Sequence, residues 1–187
     1  LSRYFIATLS NDVQVDVSVK RFLSLDLDEV GAIKYEIKPV NKDAEIIFQP
    51  YLDSGITNED TNWDDKFWDT TDVSHVNNQA FIEAKTMKTD FCTCTFMESK
   101  VFVSDKPIMV EPGIKADSNY MSFSYAYPVK KGDTYCIQKF GGYTVDRNHD
   151  KSKIIERAKE ACKNSGQLIE NHFVYYHEMV GIGSGAE

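Results

Sequence analysis

The chain has 187 residues, 42% of them hydrophobic and 12% aromatic, enough for a globular domain with a β-rich core and too many for a disordered segment. Its 29 acidic residues outnumber 21 basic ones, and the net charge of −8 argues against nucleic acid or an anionic membrane as a partner. No apolar run approaches the roughly 18 residues of a spanning helix, so a soluble domain is expected.

The predicted elements are strands, followed by one helix. Arg3 to Leu9 reads as a strand and Asn11-Asp12 as a turn. Val13, Val15, Val17 and Val19 alternate with Gln14, Asp16, Ser18 and Lys20, the pattern of a half-buried strand. Ile33, Tyr35 and Ile37 alternate with lysine and glutamate in the same way. Ala44 to Leu52, Gln79 to Met87, Phe91 to Phe96, Lys100 to Val103 and Ile108 to Val110 read as further strands. Met121, Phe123, Tyr125 and Tyr127 share one strand face, with Ser122 and Ser124 on the other. Lys130-Lys131-Gly132-Asp133 has the composition of a hairpin turn leading into a strand from Tyr135 to Phe140, and Gly141-Gly142 reads as a strand-to-turn junction. About ten short antiparallel strands with regular turns specify an all-β sandwich. From Lys151 to Asn164 the spacing changes: Ile154, Ile155, Ala158, Ala161 and Cys162 recur at helical intervals, with Asp150 as N-cap and Gly166 as C-cap. A single helix lies against such a sandwich or connects it onward.

The expected organisation is a sandwich over residues 1–149, a helix and the start of a linker over 150–172, and a tail over 173–187. The closing Gly181-Ile182-Gly183-Ser184-Gly185-Ala186-Glu187 is rich in small residues, as linkers and appended tails are. The opening at Leu1, inside a strand-like run and with no secretory leader, reads as the start of a fragment.

Four cysteines, Cys92, Cys94, Cys136 and Cys162, read as reduced, buried thiols, because a chain of this length does not need disulfide staples. Cys92 and Cys94 fall on one strand face, but His75, His149, His172 and His177 are scattered, and no metal site is expected. His149, polar and next to the helix start, reads as solvent-facing.

The polar stretch from Asp53 to Asp72 stands apart. It holds seven acidic residues against one lysine, and both tryptophans of the chain. Trp63 and Trp68 could stack on the apolar face of a pyranose, with Asp64 and Lys66 hydrogen-bonding its hydroxyls. Inward-folded aromatics pinning the connection to a sheet account for the same residues. A glycosidase pair would need two carboxylates held roughly 5 to 10 Å apart. Asp60, Asp64 and Asp65 lie in a connection that fixes no such spacing. Asn58, Asp60, Asn62 and Asp64 alternate as in an EF-hand loop, but Trp63 stands where that loop needs glycine and Asp69 where it needs glutamate. No nucleophile elbow, phosphate-binding glycine loop or dinucleotide fingerprint is present.

Four runs carry a wider likeness: Val19-Lys20-Arg21-Phe22-Leu23-Ser24-Leu25, Asp28-Glu29-Val30-Gly31-Ala32-Ile33-Lys34-Tyr35-Glu36-Ile37, Pro50-Tyr51-Leu52-Asp53 and Asn62-Trp63-Asp64-Asp65-Lys66-Phe67-Trp68. In this order, over roughly Arg3 to His172, the chain resembles the N-terminal domain of glycoside hydrolase family 65, and within it the maltose phosphorylase branch. The resemblance implies a β-sandwich of the super-sandwich type ahead of helical linkers, an (α/α)-barrel and a small C-terminal sheet. It implies inverting phosphorolysis of an α-glucoside, with inorganic phosphate as co-substrate, no other cofactor, and a general-acid glutamate in the barrel. The sandwich itself is then non-catalytic. Its partners would be its own catalytic barrel, an α-glucoside disaccharide in the parent enzyme and a second copy in a homodimer, and its compartment the cytoplasm. Phe173-Val174-Tyr175-Tyr176-His177 departs from the tryptophan-bearing linker expected after His172. A stand-alone carbohydrate-binding sandwich is the alternative, as is a ligand-free structural or dimerising one.

Overall fold

The computed structural model describes residues 1–24, 27–57 and 66–165. Among these are twelve strands: β1 (Ser2–Thr8), β2 (Gln14–Leu23), β3 (Val30–Pro39), β4 (Ala44–Phe48), β5 (Tyr51–Asp53), β6 (Trp68–Val76), β7 (Gln79–Thr86), β8 (Cys92–Val103), β9 (Lys106–Pro107), β10 (Gly113–Ala116), β11 (Tyr120–Val129) and β12 (Tyr135–Val145). A 3₁₀ turn, Lys151–Lys153, leads into helix α1, described over 154–165. No helix among the described residues is long and apolar enough to cross a membrane.

The strands form two antiparallel sheets. The large one runs β1-β2-β3-β12-β8-β7-β6, with β9 paired beside β8. The small one runs β10-β11-β4, with β5 also on β11. Strands β4 and β5 share one register along β11: Phe48 opposes Tyr125 and Tyr51 opposes Ser122. Pro50, which has no N–H to donate, interrupts the edge, while its carbonyl still accepts from Phe123 at 3.1 Å.

The main core fills the space between the sheets. Ile46, Phe48, Leu52, Met121, Phe123, Tyr125 and Val129 of the small sheet meet Ala80, Ile82, Met97, Val101, Tyr135 and Ile137 of the large one. The opposite face of the large sheet is covered by α1. Ile154, Ala158, Ala161 and Cys162 bury against Val30, Phe81, Cys94 and Phe96, each large apolar side chain contributing about 1.5–3 kcal/mol. Asp150 caps the helix entry as read from sequence, its side chain accepting from Ser152 N. Thr144 Oγ1, fully buried, donates to the Ile154 carbonyl at 2.9 Å and ties the helix to β12.

Several sequence readings are corrected. Phe91–Phe96 and Lys100–Val103 belong to one strand, β8. Glu98 and Ser99, between the two runs, are buried within it, and Glu98 accepts from Gln79 Nε2 at 3.2 Å. Covered on both faces, β8 loses the simple alternation a one-sided strand shows. Ile108–Val110 is not a strand, although Ile108 and Val110 pack against the core. The polar stretch after Asp53 ends earlier than expected, because β6 begins at Trp68 and carries Asp69 and Asp72. Residues 130–133 do not close a hairpin within one sheet: they carry the chain from β11 in the small sheet to β12 in the large one, with Gly132 at φ +90°. Gly141-Gly142 lies inside β12, which continues to Val145. His149 is half-buried and its Nε2 lies 2.5 Å from Glu29 Oε1.

All four cysteines are free thiols, with Cys92 and Cys94 on the helix-facing side of β8. Burial pushes the thiols of Cys94, Cys136 and Cys162 up to about 12. Among the described residues no group of three or more His, Cys, Asp or Glu could hold a metal ion.

Candidate functional site

The small sheet is narrower than the large one and leaves part of its inward face uncovered. Across this part run the cross-strand rows Arg21–Ile33–Lys139 and Leu23–Gly31–Gly141. The facing glycines remove two side chains from the floor, and Leu52 of β5 forms a wall. The result is a recess of about 550 Å³. A second recess of about 400 Å³ adjoins it, sharing Leu52, Thr95 and Tyr143, and reaches Trp68, Phe91 and Val145. Together they form one trough along the edge of β5.

Its lining is mostly apolar and open: Leu23 is 81% exposed, Tyr143 63% and Ile33 38%. Apolar side chains exposed contiguously in a concavity mark a surface made to be covered. At the centre stands Lys139. The alternation that sends Tyr135 and Ile137 into the main core sends Lys139 to the same face two residues later. Its Nζ donates to the Tyr51 carbonyl at 2.9 Å and lies 6.0 Å from the Tyr51 ring centroid. Burial alone holds this ammonium below the usual lysine range. Among the described residues no carboxylate lies within ion-pairing distance of Lys139. In the second recess, Trp68 meets Phe91 edge-on, with ring centroids 6.2 Å apart. Thr93, also in its lining, has a buried hydroxyl with no hydrogen-bond partner among the described residues.

Of the candidates named from sequence, Trp68 lines this second recess, half-buried at the start of β6. Lys66 is exposed on the approach to β6. Trp63 and Asp64 fall outside the described residues. The structure therefore places one candidate in the trough and adds Lys139, Tyr143 and Phe91. A signal for Lys139 was present, since it breaks the apolar face of the strand that Tyr135 and Ile137 begin. Ending that strand at Phe140 hid the face's continuation to Tyr143 and Val145.

Comparison with known proteins accounts for this architecture. The family described as "Glycosyl hydrolase family 65, N-terminal domain" matches residues 1–177. The chain belongs to this family. It is 30% identical over 162 residues to maltose phosphorylase of Bacillus subtilis (strain 168), covering 87% of this chain and 20% of that protein. To the alpha,alpha-trehalose phosphorylase of Thermoanaerobacter brockii it is 27% identical over 163 residues, covering 81% of this chain and 21% of that one. A putative kojibiose phosphorylase from human microbiome has the same fold, with a TM-score of 0.74 at 16% identity, over 89% of this chain and 21% of that chain. A shorter stretch of 51 residues, 27% of this chain, is 43% identical to the DNA damage-inducible protein D of Escherichia coli (strain K12), 18% of which it covers. The chain thus spans about a fifth of the length of the phosphorylases it matches.

Proposed function

We propose that this chain is the non-catalytic sandwich of an inverting family 65 phosphorylase acting on maltose or a related α-glucobiose, and that it supports the catalytic domain and the mouth of its active site. The observation that carries this reading is the family match over residues 1–177 in a chain spanning one fifth of phosphorylase relatives. An uncovered apolar trough is what a support domain leaves when its partner domain is set aside. Trp68, at one end of the trough and adjoining the segment that holds Trp63, Asp64 and Lys66, is the candidate for contact with the disaccharide. Inorganic phosphate would be the co-substrate, the assembly a homodimer and the compartment the cytoplasm. The test is phosphorolysis by the full-length protein: release of a glucose phosphate from maltose supports the reading, and an open reading frame with no catalytic domain after this one refutes it.

A second reading, a carbohydrate-binding sandwich, is favoured by one observation. Trp68, Phe91 and Tyr143 line a recess that also holds the unpartnered Thr93 hydroxyl. Sugar sites combine aromatic faces with a few placed polar groups in this way. Maltose titration followed by tryptophan fluorescence separates the two, since binding in a protein without a catalytic domain requires the second.

A further inference from the structure

The recess around Lys139 contains a charge that no described residue of its own walls balances, and Asp53, in the adjoining recess, turns its carboxylate to Gly55 N at 2.7 Å. Lys139 uses one ammonium proton on the Tyr51 carbonyl, leaving two donors. The recess around it is lined by Leu23, Ile33, Leu52 and Tyr143 and, among the described residues, by no aspartate or glutamate, while Arg21 adds a second cation at its rim. Covering such a surface with purely apolar groups would strand an unpaired ammonium in a dry interface, where desolvation opposes binding. Leaving it open would expose the apolar walls to water. An occupant that satisfies both is an apolar segment carrying an acidic side chain.

We propose that the Lys139 trough is the docking seat for a segment of the catalytic domain that presents a carboxylate to Lys139 between apolar side chains. This rests on the phosphorylase reading above and names the chemistry of that domain's contact. The length of the relatives argues for this occupant, because four-fifths of the matched maltose phosphorylase is not covered by a domain like this one. Charge argues against a second copy seated face to face. A two-fold contact centred on this recess would bring Lys139 and Arg21 of both copies together with no acid among its described lining residues.

The test is zero-length carbodiimide coupling of the full-length protein, followed by peptide mapping. Coupling joins an amine to a carboxylate only where the two already touch. Lys130–Asp43 at 2.8 Å and Lys151–Asp90 at 2.7 Å are internal positive controls. The expected product is an amide between Lys139 and an aspartate or glutamate beyond residue 187 of the same polypeptide, lost in Lys139→Gln while both control amides persist. Control amides without a Lys139 product overturn the proposal. So does coupling of Lys139 to Asp26, Asp53, Glu59, Asp60, Asp64, Asp65 or any other carboxylate within residues 1–187, or coupling found only in a covalent dimer. A reading frame lacking a catalytic domain refutes the phosphorylase reading instead. Phosphorolysis in a protein whose Lys139 stays uncoupled refutes only the docking.

Discussion

Gly142→Ala is expected to destabilise the protein more than any other glycine-to-alanine change within its strands. A Cβ built at Gly142 would lie 1.6 Å from the carbonyl oxygen of Glu29. An ordinary carbon–oxygen contact is about 3.3 Å, so the turn or the strand must give by about 1.7 Å. Neither is free to do so. The Glu29 carbonyl accepts from Tyr143 N at 3.3 Å, its carboxylate meets His149, and Val30 N donates to Leu27 O at 3.0 Å. On the strand side, β12 is paired with β8 along its length and with β3 as far as Gly142 itself. Overpacking costs about 1–3 kcal/mol, and the lost Tyr143–Glu29 hydrogen bond adds about 1 kcal/mol, for an expected loss of about 2–4 kcal/mol. In a chain of this size that lowers Tm by about 5–15 °C. The control is Gly113→Ala, whose Cβ would meet Ser124 Cβ at an ordinary 3.5 Å, with an expected change within about 0.5 kcal/mol. Calorimetry and urea unfolding of both variants measure the difference. Equal stability of the two would refute the close approach of Glu29 to β12, and with it the closure of the turn before β3.

Under the proposed phosphorylase function, Trp68→Ala in the full-length protein is expected to raise KM for the disaccharide while sparing the fold; unchanged kinetics would leave Trp68 only its packing on Phe91. At pH 8 a disulfide-exchange reagent should label Cys92 in the native protein and all four cysteines only after denaturation, because thiols pushed up to about 12 are ionised there in about one molecule in ten thousand. Fast native labelling of three or four thiols would contradict the burial. The same shifts predict alkaline destabilisation. Unfolded thiols ionise near 9 and the buried ones near 12, so the buried thiols' contribution is complete below pH 9 and falls as pH rises from 9 toward 12. Tyr125 and Tyr135, also pushed up to about 12 by burial, add to the fall above pH 10. A Tm that stays flat between pH 8 and 10.5 would refute this.

What could be read from the sequence depended on how many faces of an element are covered. β2 is legible because Val15 and Val17, with Val13 just before the strand, form a small buried cluster while Gln14, Asp16 and Ser18 on the other face are not buried, so its alternation is clean. The helix is legible for the same reason: Ile154, Ala158, Ala161 and Cys162 bury one stripe while Glu156, Arg157, Glu160 and Lys163 stay outside. β8 lies between α1 and the small sheet, and burial on both faces erased the signal that would have joined its two halves. β6 was lost differently, since its edge position leaves Asp69, Asp72 and His75 mixed with Val73 and a bulge between Thr70 and Asp72 shifts the pairing. The trough was hidden more deeply, because it is not a motif along the chain. Its walls come from β2, β3, β5, β8 and β12, brought together by a strand order that places β12 between β3 and β8. Yet its central residue did stand out as an inconsistency. A lysine two positions beyond Ile137 on an inward face, with Ile33 and Ser99 opposite, has no place in a finished core. Once β12 is followed through its glycines to Val145, that lysine marks the boundary between the closed core of the sandwich and the open trough that we propose a second domain covers.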